Sequence, residues 1–486
     1  MRPFLPLLLA GLPAVTVFAV PLTVGPDYHR PDTAAPAAFR DTTADAGAWK
    51  IATPADRIAR GAWWEIFGDT ALDDLETRAL AANEDLHAAA ARVEQARAAA
   101  GLARSAYWPQ LAAGASLLRE QTSTTVDNVA PAPLATTYGT PLGASWELDL
   151  FGRVRRQSEG ARAEAVSSAA DFENVRLALT AEVASSYFGL RTLDRETVLV
   201  ADGVDLRSRA LKLVTARRAA GAATDFDVAR AEAELAATEV EAADLARRRA
   251  GGQNALAVLL GSAAPEFQLP PATTALASQP PTVPAGLPGD LLERRPDVAA
   301  AEAALAAANA RIGVAKAAFF PSITLTGSAG YASGDIDRLF QADSRIWSVG
   351  PGVYLPIFQG GRNRANLQRS RAAYEESVAL FRQRVLVALG EVQDALTATQ
   401  LLATQAAAQE RTVVAARRAG QLAQTRFEAG FVNYLEVIDA QRTVLSAERA
   451  TAQLTAQRLL TSVALIKALG GGWVRPLSID SLIAAR

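Results

Sequence analysis

Phe319–Tyr331 reads FFPSITLTGSAGY, and Tyr107–Leu117 reads YWPQLAAGASL, with Pro321 falling on Pro109. From that anchor the likeness continues in one order. LDLFGRVRRQ from Leu148 matches LPIFQGGRNRA from Leu355, placing Phe151 opposite Phe358. RRAAGAATDFDVARAEAEL from Arg217 matches RFEAGFVNYLEVIDAQRTVL from Arg426, placing Gly221 opposite Gly430, and Gly261 closes one series as Gly470 closes the other. Landmarks kept in order at a spacing of roughly 210 residues mark a duplicated unit. The expected division is a leader at 1–19, an extended N-terminal segment at 20–70, a first copy at 71–264, a Pro-rich linker at 265–288, a second copy at 289–472 and a tail at 473–486.

Each copy reads as short helix, β-hairpin, very long helix, break and long helix. In the second copy Ile323, Leu325, Ala329 and Tyr331 alternate with Ser322, Thr324, Thr326 and Ser328. The partner run puts Trp347, Val349, Val353, Leu355 and Ile357 opposite in parity to Ser348, Gly350, Gly352 and Tyr354. The first copy alternates more weakly, with Leu142, Ala144, Trp146, Leu148 and Leu150 against Gly143, Ser145, Glu147 and Asp149. A period of two with one apolar face is the mark of a strand. A half-buried hairpin of a soluble sheet shows the same alternation, so strand length and export decide between the two. These runs reach about ten residues, the length of a tilted membrane strand.

Export is read at the N-terminus. Arg2 precedes an apolar stretch from Phe4 to Val20, short for a spanning helix and right for a secretory leader, with Val17 and Ala19 at the small-residue positions. Four strands cannot close a barrel, and an open sheet edge is not tolerated in lipid. Several copies of the chain must therefore complete the wall, and three would supply twelve strands.

After each hairpin, Val154–Ala220 and Arg362–Ala429 run without proline. A continuous helix of about 65 residues spans on the order of 100 Å, the dimension of a coiled-coil assembly. Ile438, Leu445, Ala452, Leu459 and Ile466 recur at the seam spacing of supercoiled helices, and Ala229, Ala236, Ala243, Ala250 and Ala257 are their first-copy counterparts.

Composition excludes much else. With no cysteine and two isolated histidines, His29 and His87, there is no disulfide, thiolate nucleophile or imidazole-built metal site to expect, and no cofactor. The 49 basic and 51 acidic residues give no footprint for nucleic acid. No phosphate loop, nucleophile elbow or glycine-rich nucleotide turn is present, so an enzyme is not expected. A soluble periplasmic coiled-coil adaptor is the competing reading. It accounts for export and long helices but not for two hairpins with apolar faces.

VGPDYHRPDTAAPAAF from Val24, WWEIFGDTALDDLETRAL from Trp63, RRPDVAAAEAAL from Arg294, FFPSITLTGSAG and LPIFQGGRNRANL together resemble the outer-membrane factors of tripartite efflux systems, TolC-like proteins of the NodT type. The resemblance covers nearly the whole chain after the leader. It implies an α+β membrane protein: a homotrimer whose twelve-stranded outer-membrane β-barrel continues into a periplasmic α-helical barrel. The implied partners are a periplasmic adaptor, an inner-membrane transporter of the proton-driven RND type and outer-membrane lipid, and the implied role is passive export of drugs or other small molecules. Members of this type carry a lipid-modified cysteine just before VGPDY, where this chain has Pro21, Leu22 and Thr23, so lipidation is not expected.

The resemblance also places the periplasmic aperture on Asn433–Arg442. Glu436 and Asp439 share a helix face and Arg442 continues the stripe. Threefold symmetry would gather them into rings, carboxylates that attract cations, an Asp439 and Arg442 link between helices, and a collar from Leu435. Asp225 and Asp227 occupy the matching turn of the first copy. The basic and tyrosine positions of a lock known in some relatives fall here on Val432 and Phe427.

Overall fold

A computed structural model describes residues 23–32, 39, 61–121, 123, 134–272, 280–281, 283 and 294–473. The expected leader, Leu22, most of the linker and the tail from 474 onward lie outside the described residues. The chain divides into two compact units, each drawing on both halves of the sequence.

The first unit, residues 23–29, Ala98–Ala163 and Leu305–Glu376, contains the sheet. Its strands are β1 (Gln110–Ala113), β2 (Ser116–Glu120), β3 (Ala135–Leu148), β4 (Ser322–Ser333) and β5 (Arg345–Tyr354). All pairings are antiparallel; β1 and β2 lie end to end along β3, and the order across the sheet is β1/β2, β3, β4, β5. Directly paired residues share a face, so register fixes which side chains stand together. Trp146 pairs with Leu325, Leu142 with Ala329 and Ala329 with Trp347, which makes one face apolar across every strand. Ser145 pairs with Thr326 and Thr326 with Gly350, which makes the other polar. On that face the hydroxyls of Ser328 and Ser348 meet at 2.8 Å, and Thr326 Oγ1 donates to the Gly350 carbonyl.

The strand ends differ from the expected ones at two places. β5 stops at Tyr354, before Leu355 and Ile357. β3 stops at Leu148, before Leu150, and the Asp149 carboxylate there accepts from the Arg155 backbone N–H at 2.8 Å.

The VGPDY stretch is a strap on this unit. Val24 N donates to Phe151 O, Asn309 donates to Pro26 O, and Arg156 reaches Asp27 at 2.6 Å. Gly25, at φ 116°, lies so close to Gly313 that an added Cβ would fall 2.6 Å from its Cα.

The second unit holds the described residues of Arg30–Arg97, Glu164–Ala304 and Ser377–Arg486. Across the chain the helices are α1 (Thr70–Ala82), α2 (Glu84–Ser105), α3 (Arg153–Ala219), α4 (Asp225–Leu259), α5 (Pro296–Ala317), α6 (Arg362–Glu428) and α7 (Tyr434–Ala468). α3 and α6 each run 67 residues, α4 and α7 each 35. α5 is long and apolar enough to cross a membrane, but 67% of that window is buried inside the chain's own fold.

The WWEIFGD motif docks the N-terminal segment. Trp63 is buried and its indole N–H donates to Thr180 Oγ1 at 3.0 Å, while Phe67 packs on Phe188. Asp69 caps α1 and accepts the Tyr187 hydroxyl at 2.6 Å. In RRPD, Arg295 forms a two-pronged pair with Asp297, reaches Glu391, and donates to the Ala468 carbonyl at the end of α7.

Of the expected α7 seam, Ile438, Leu459 and Ile466 are buried, whereas Leu445 and Ala452 are only half-buried. In α4 the buried row is Ala231, Thr238 and Leu245, two residues displaced from the expected alanines; Ala229, Ala236, Ala243 and Ala250 face outward and only Ala257 is buried. An alanine-rich helix offers several rows at heptad spacing, and the row carrying the larger Leu245 gains more by burial.

Glu76 on α1 is fully buried, and neither carboxyl oxygen has a hydrogen-bond partner among the described residues. Burial, with Asp73 adding repulsion, pushes its pKa up to about 9. The folded state therefore binds a proton that the unfolded chain releases above about pH 4.5, so stability falls by about 1.4 kcal/mol per pH unit from there to about 9. Glu76→Met should melt at a higher temperature than the parent, by more at pH 8 than at pH 5. Equal melting shifts at both pH values would show that Glu76 is not protonated in the fold.

Candidate functional site: the helical turns at Gly221 and Gly430

Both long helices end in the same device. Gly221 and Gly430 each have φ 78°, the left-handed conformation that glycine adopts without steric cost. Ala222 N donates to Arg217 O at 2.8 Å, and Phe431 N to Arg426 O at 2.9 Å. Thr224 then caps α4 and Asn433 caps α7, the latter accepting from Glu436 N at 3.3 Å.

The two turns use their acids differently. Asp227 completes a capping box, its carboxylate accepting from Thr224 N and Thr224 Oγ1, and these bonds hold its pKa below the usual carboxylate range. Asp225 pairs with Arg218 at 2.8 Å. Glu436 occupies the position that Asp227 holds in its turn, but lies 3.5 Å from Arg426. The T-x-x-D spacing of Thr224 and Asp227 is itself a legible capping signal.

Leu435 is half-buried, whereas Glu436, Asp439 and Arg442 are exposed along α7. Within the chain Arg442 lies 3.7 Å from Glu234 of α4, not against Asp439, and Asp439 has no ion-pair partner among the described residues. Glu234 also lies 4.0 Å from Arg207 of α3, and Gly203 on α3 leaves just enough room for that guanidinium. Burial raises the pKa of Tyr434, on which Arg207 and Glu234 act electrostatically in opposite senses. One heptad farther on, Arg449 of α7 grips Glu241 of α4 and the buried Glu196 of α3, which also accepts from Gln453. Two successive polar clasps thus tie α7 to α3 and α4.

Phe427 is buried under Arg217, whose guanidinium stands 4.3 Å from the ring centroid, and packs 5.5 Å from the Tyr434 ring. Val432, five residues farther along the turn, is half-buried. Tyr434 falls inside the Asn433–Arg442 segment, whereas Glu234 and Arg207 lie outside it. The heptad interval shared by Glu234 and Glu241 with Arg442 and Arg449 is a signal that finds Glu234.

The sequence profile of the outer membrane efflux protein family matches residues 75–262 and 287–471. The chain is 35% identical over 451 residues to the probable efflux pump outer membrane protein SepC of Pseudomonas putida, covering 92% of this chain and 93% of that one. It is 33% identical over 458 residues to the cation efflux system protein CusC of Escherichia coli, with 93% and 96% covered. Among solved structures, the outer-membrane channel OprN superposes with a TM-score of 0.84 at 33% identity, over 93% of this chain and 100% of that one. The two-faced sheet, the paired long helices and these likenesses lead to one conclusion: the chain belongs to the outer membrane efflux protein family and is an outer-membrane exit duct for efflux.

Proposed function

We propose that the duct is a homotrimer of duplicated subunits, with a twelve-stranded barrel in the outer membrane and the helices of three chains forming a periplasmic α-barrel. One observation carries the reading. The four-strand-wide sheet is apolar on one face and polar on the other, and among the described residues both outer strands, β1/β2 and β5, are hydrogen-bonded on one side only. Trp347 is 77% exposed and Leu111 72%, which is costly in water and favourable against lipid. Open edges cannot remain in lipid, so copies must close on copies.

Duplication is supported by more than sequence. At Gly261 an added Cβ would strike the Ala82 carbonyl oxygen, and at Gly470 it would strike that of Arg294. One close contact is thus made at matched places in the two halves. The profile of the family also matches the chain twice.

In this reading Glu436, Asp439 and Arg442 of three chains ring the periplasmic aperture, with Leu435 as an apolar collar. Asp225 and Asp227 add negative potential at the same level while serving as local ion-pair and cap. The duct carries out no bond chemistry; it passes small molecules delivered by a periplasmic adaptor and an inner-membrane transporter of the RND type. Detergent-solubilised protein should sediment as a trimer and insert into planar bilayers as a cation-preferring channel. A monomer without conductance would overturn the reading.

A further inference from the structure

Phe151, just after β3, stacks on Phe320, just before β4, with centroids 4.8 Å apart and planes inclined by 23°. Their counterparts in the other copies are Phe358, just after β5, and Trp108, just before β1. Neither has a partner ring among the described residues: Phe358 is 89% exposed and Trp108 68%. Two large aromatic side chains standing free at opposite edges of one sheet are half-contacts.

Resting on the duplicated trimer proposed above, we infer that each subunit's Phe358 stacks on Trp108 of the next, repeating across the subunit boundary the stack that Phe151 and Phe320 make within it. The occupant of both edges is a second copy of this chain. The register of the boundary follows from the same correspondence. Inside the chain β3 pairs with β4 through Trp146 and Leu325 and through Leu148 and Ile323. Transferring those pairs by the anchors Phe151 to Phe358 and Pro321 to Pro109 sets Val353 of one subunit opposite Ala113 of its neighbour, and Val349 opposite Leu117.

Independent features agree with this register. Ala113 pairs with Leu142, and Leu117 with Tyr138, so both stand on the face that carries Trp146 and Leu325. Val353 and Val349 stand on that same face through Ile323 and Gly327. A slip by one residue would set apolar against polar positions along the whole boundary. The same register brings Arg119 opposite Trp347, a cation over an exposed indole.

The chain has no cysteine, so any disulfide would be engineered. Residues directly opposite in an antiparallel pair have the Cα separation a disulfide needs, whereas a diagonal neighbour two residues away is out of reach. Ala113→Cys with Val353→Cys, in the full chain, should give covalent dimers and trimers on oxidation. Leu111→Cys with Val353→Cys should remain monomeric on a non-reducing gel. Cross-linking by the second pair and not the first would overturn the register while the trimer stands. Absence of cross-linking in a protein that still sediments as a trimer would overturn the edge pairing itself. A monomeric protein would instead defeat the trimeric reading. For the ring contact, Phe358→Ala and Trp108→Ala should each lower the temperature at which the trimer dissociates, and combining them should add little further; additive losses would exclude the stack.

Discussion

Gly470→Ala should leave almost no correctly folded channel in the outer membrane. Gly470 has φ 90°, and a Cβ there would lie 2.2 Å from the Arg294 carbonyl oxygen and 2.9 Å from its carbon. Neither atom can yield, because Arg294 opens the segment in which Arg295 holds the last turn of α7 through the Ala468 carbonyl. Left-handed strain and a backbone clash act together, and a loss of about 3–5 kcal/mol is expected. Gly261→Ala meets the Ala82 carbonyl in the same way and should behave alike. Gly390→Ala is the control. Gly390 lies inside α6 with nothing within 4 Å of the added atom, so alanine should stabilise by about 0.5–1 kcal/mol. Urea midpoints of purified, detergent-solubilised variants give the comparison, and a Gly470→Ala protein as stable as the parent would refute the packing argument.

Opening of the proposed aperture should follow from Asp439→Ala with Arg442→Ala. Arg442 joins α7 to Glu234 of α4 at 3.7 Å and is itself largely exposed, and an exposed pair is worth about 0–1 kcal/mol. One such tie hardly biases a gate. Three symmetry copies at about 0.5 kcal/mol each shift an open-to-closed ratio roughly tenfold. The clasp of Arg449 on Glu196 and Glu241 remains, so the helices stay anchored while their ends are freed. Single-channel conductance in planar bilayers should rise several-fold. Asp439→Asn alone should move the reversal potential in a salt gradient toward zero, since a ring of carboxylates is what favours cations. Conductance and selectivity equal to the parent's would remove both residues from the aperture.

The division of labour among the acids shows what one-dimensional reading does and does not reach. Glu436 and Asp227 fall at the same place in matched turns, and spacing alone treats them alike. In three dimensions Asp227 is occupied by the Thr224 cap, whereas Glu436 faces Arg426. Arg442 is expected from the sequence to take part with Asp439 in a link between helices; within the chain it reaches Glu234 of a neighbouring helix, a carboxylate that the local pattern does not name. Side chains as long as arginine choose among carboxylates by where the backbones bring them, and that choice is absent from any local pattern.

Alternation of period two determined the strands and both faces of the sheet, because a pleated strand converts sequence parity directly into side of the sheet. Unbroken proline-free runs between glycines likewise determined α3 and α6, because helix continuation is a local matter settled by N–H groups and steric freedom at each residue. Only the tertiary structure decided that β3 joins β4, that the buried row of α4 is Ala231, Thr238 and Leu245, and that Glu234 serves Arg207 and Arg442 together. These are contacts between segments remote in sequence. Their energies depend on which surfaces meet, so no window of sequence contains them.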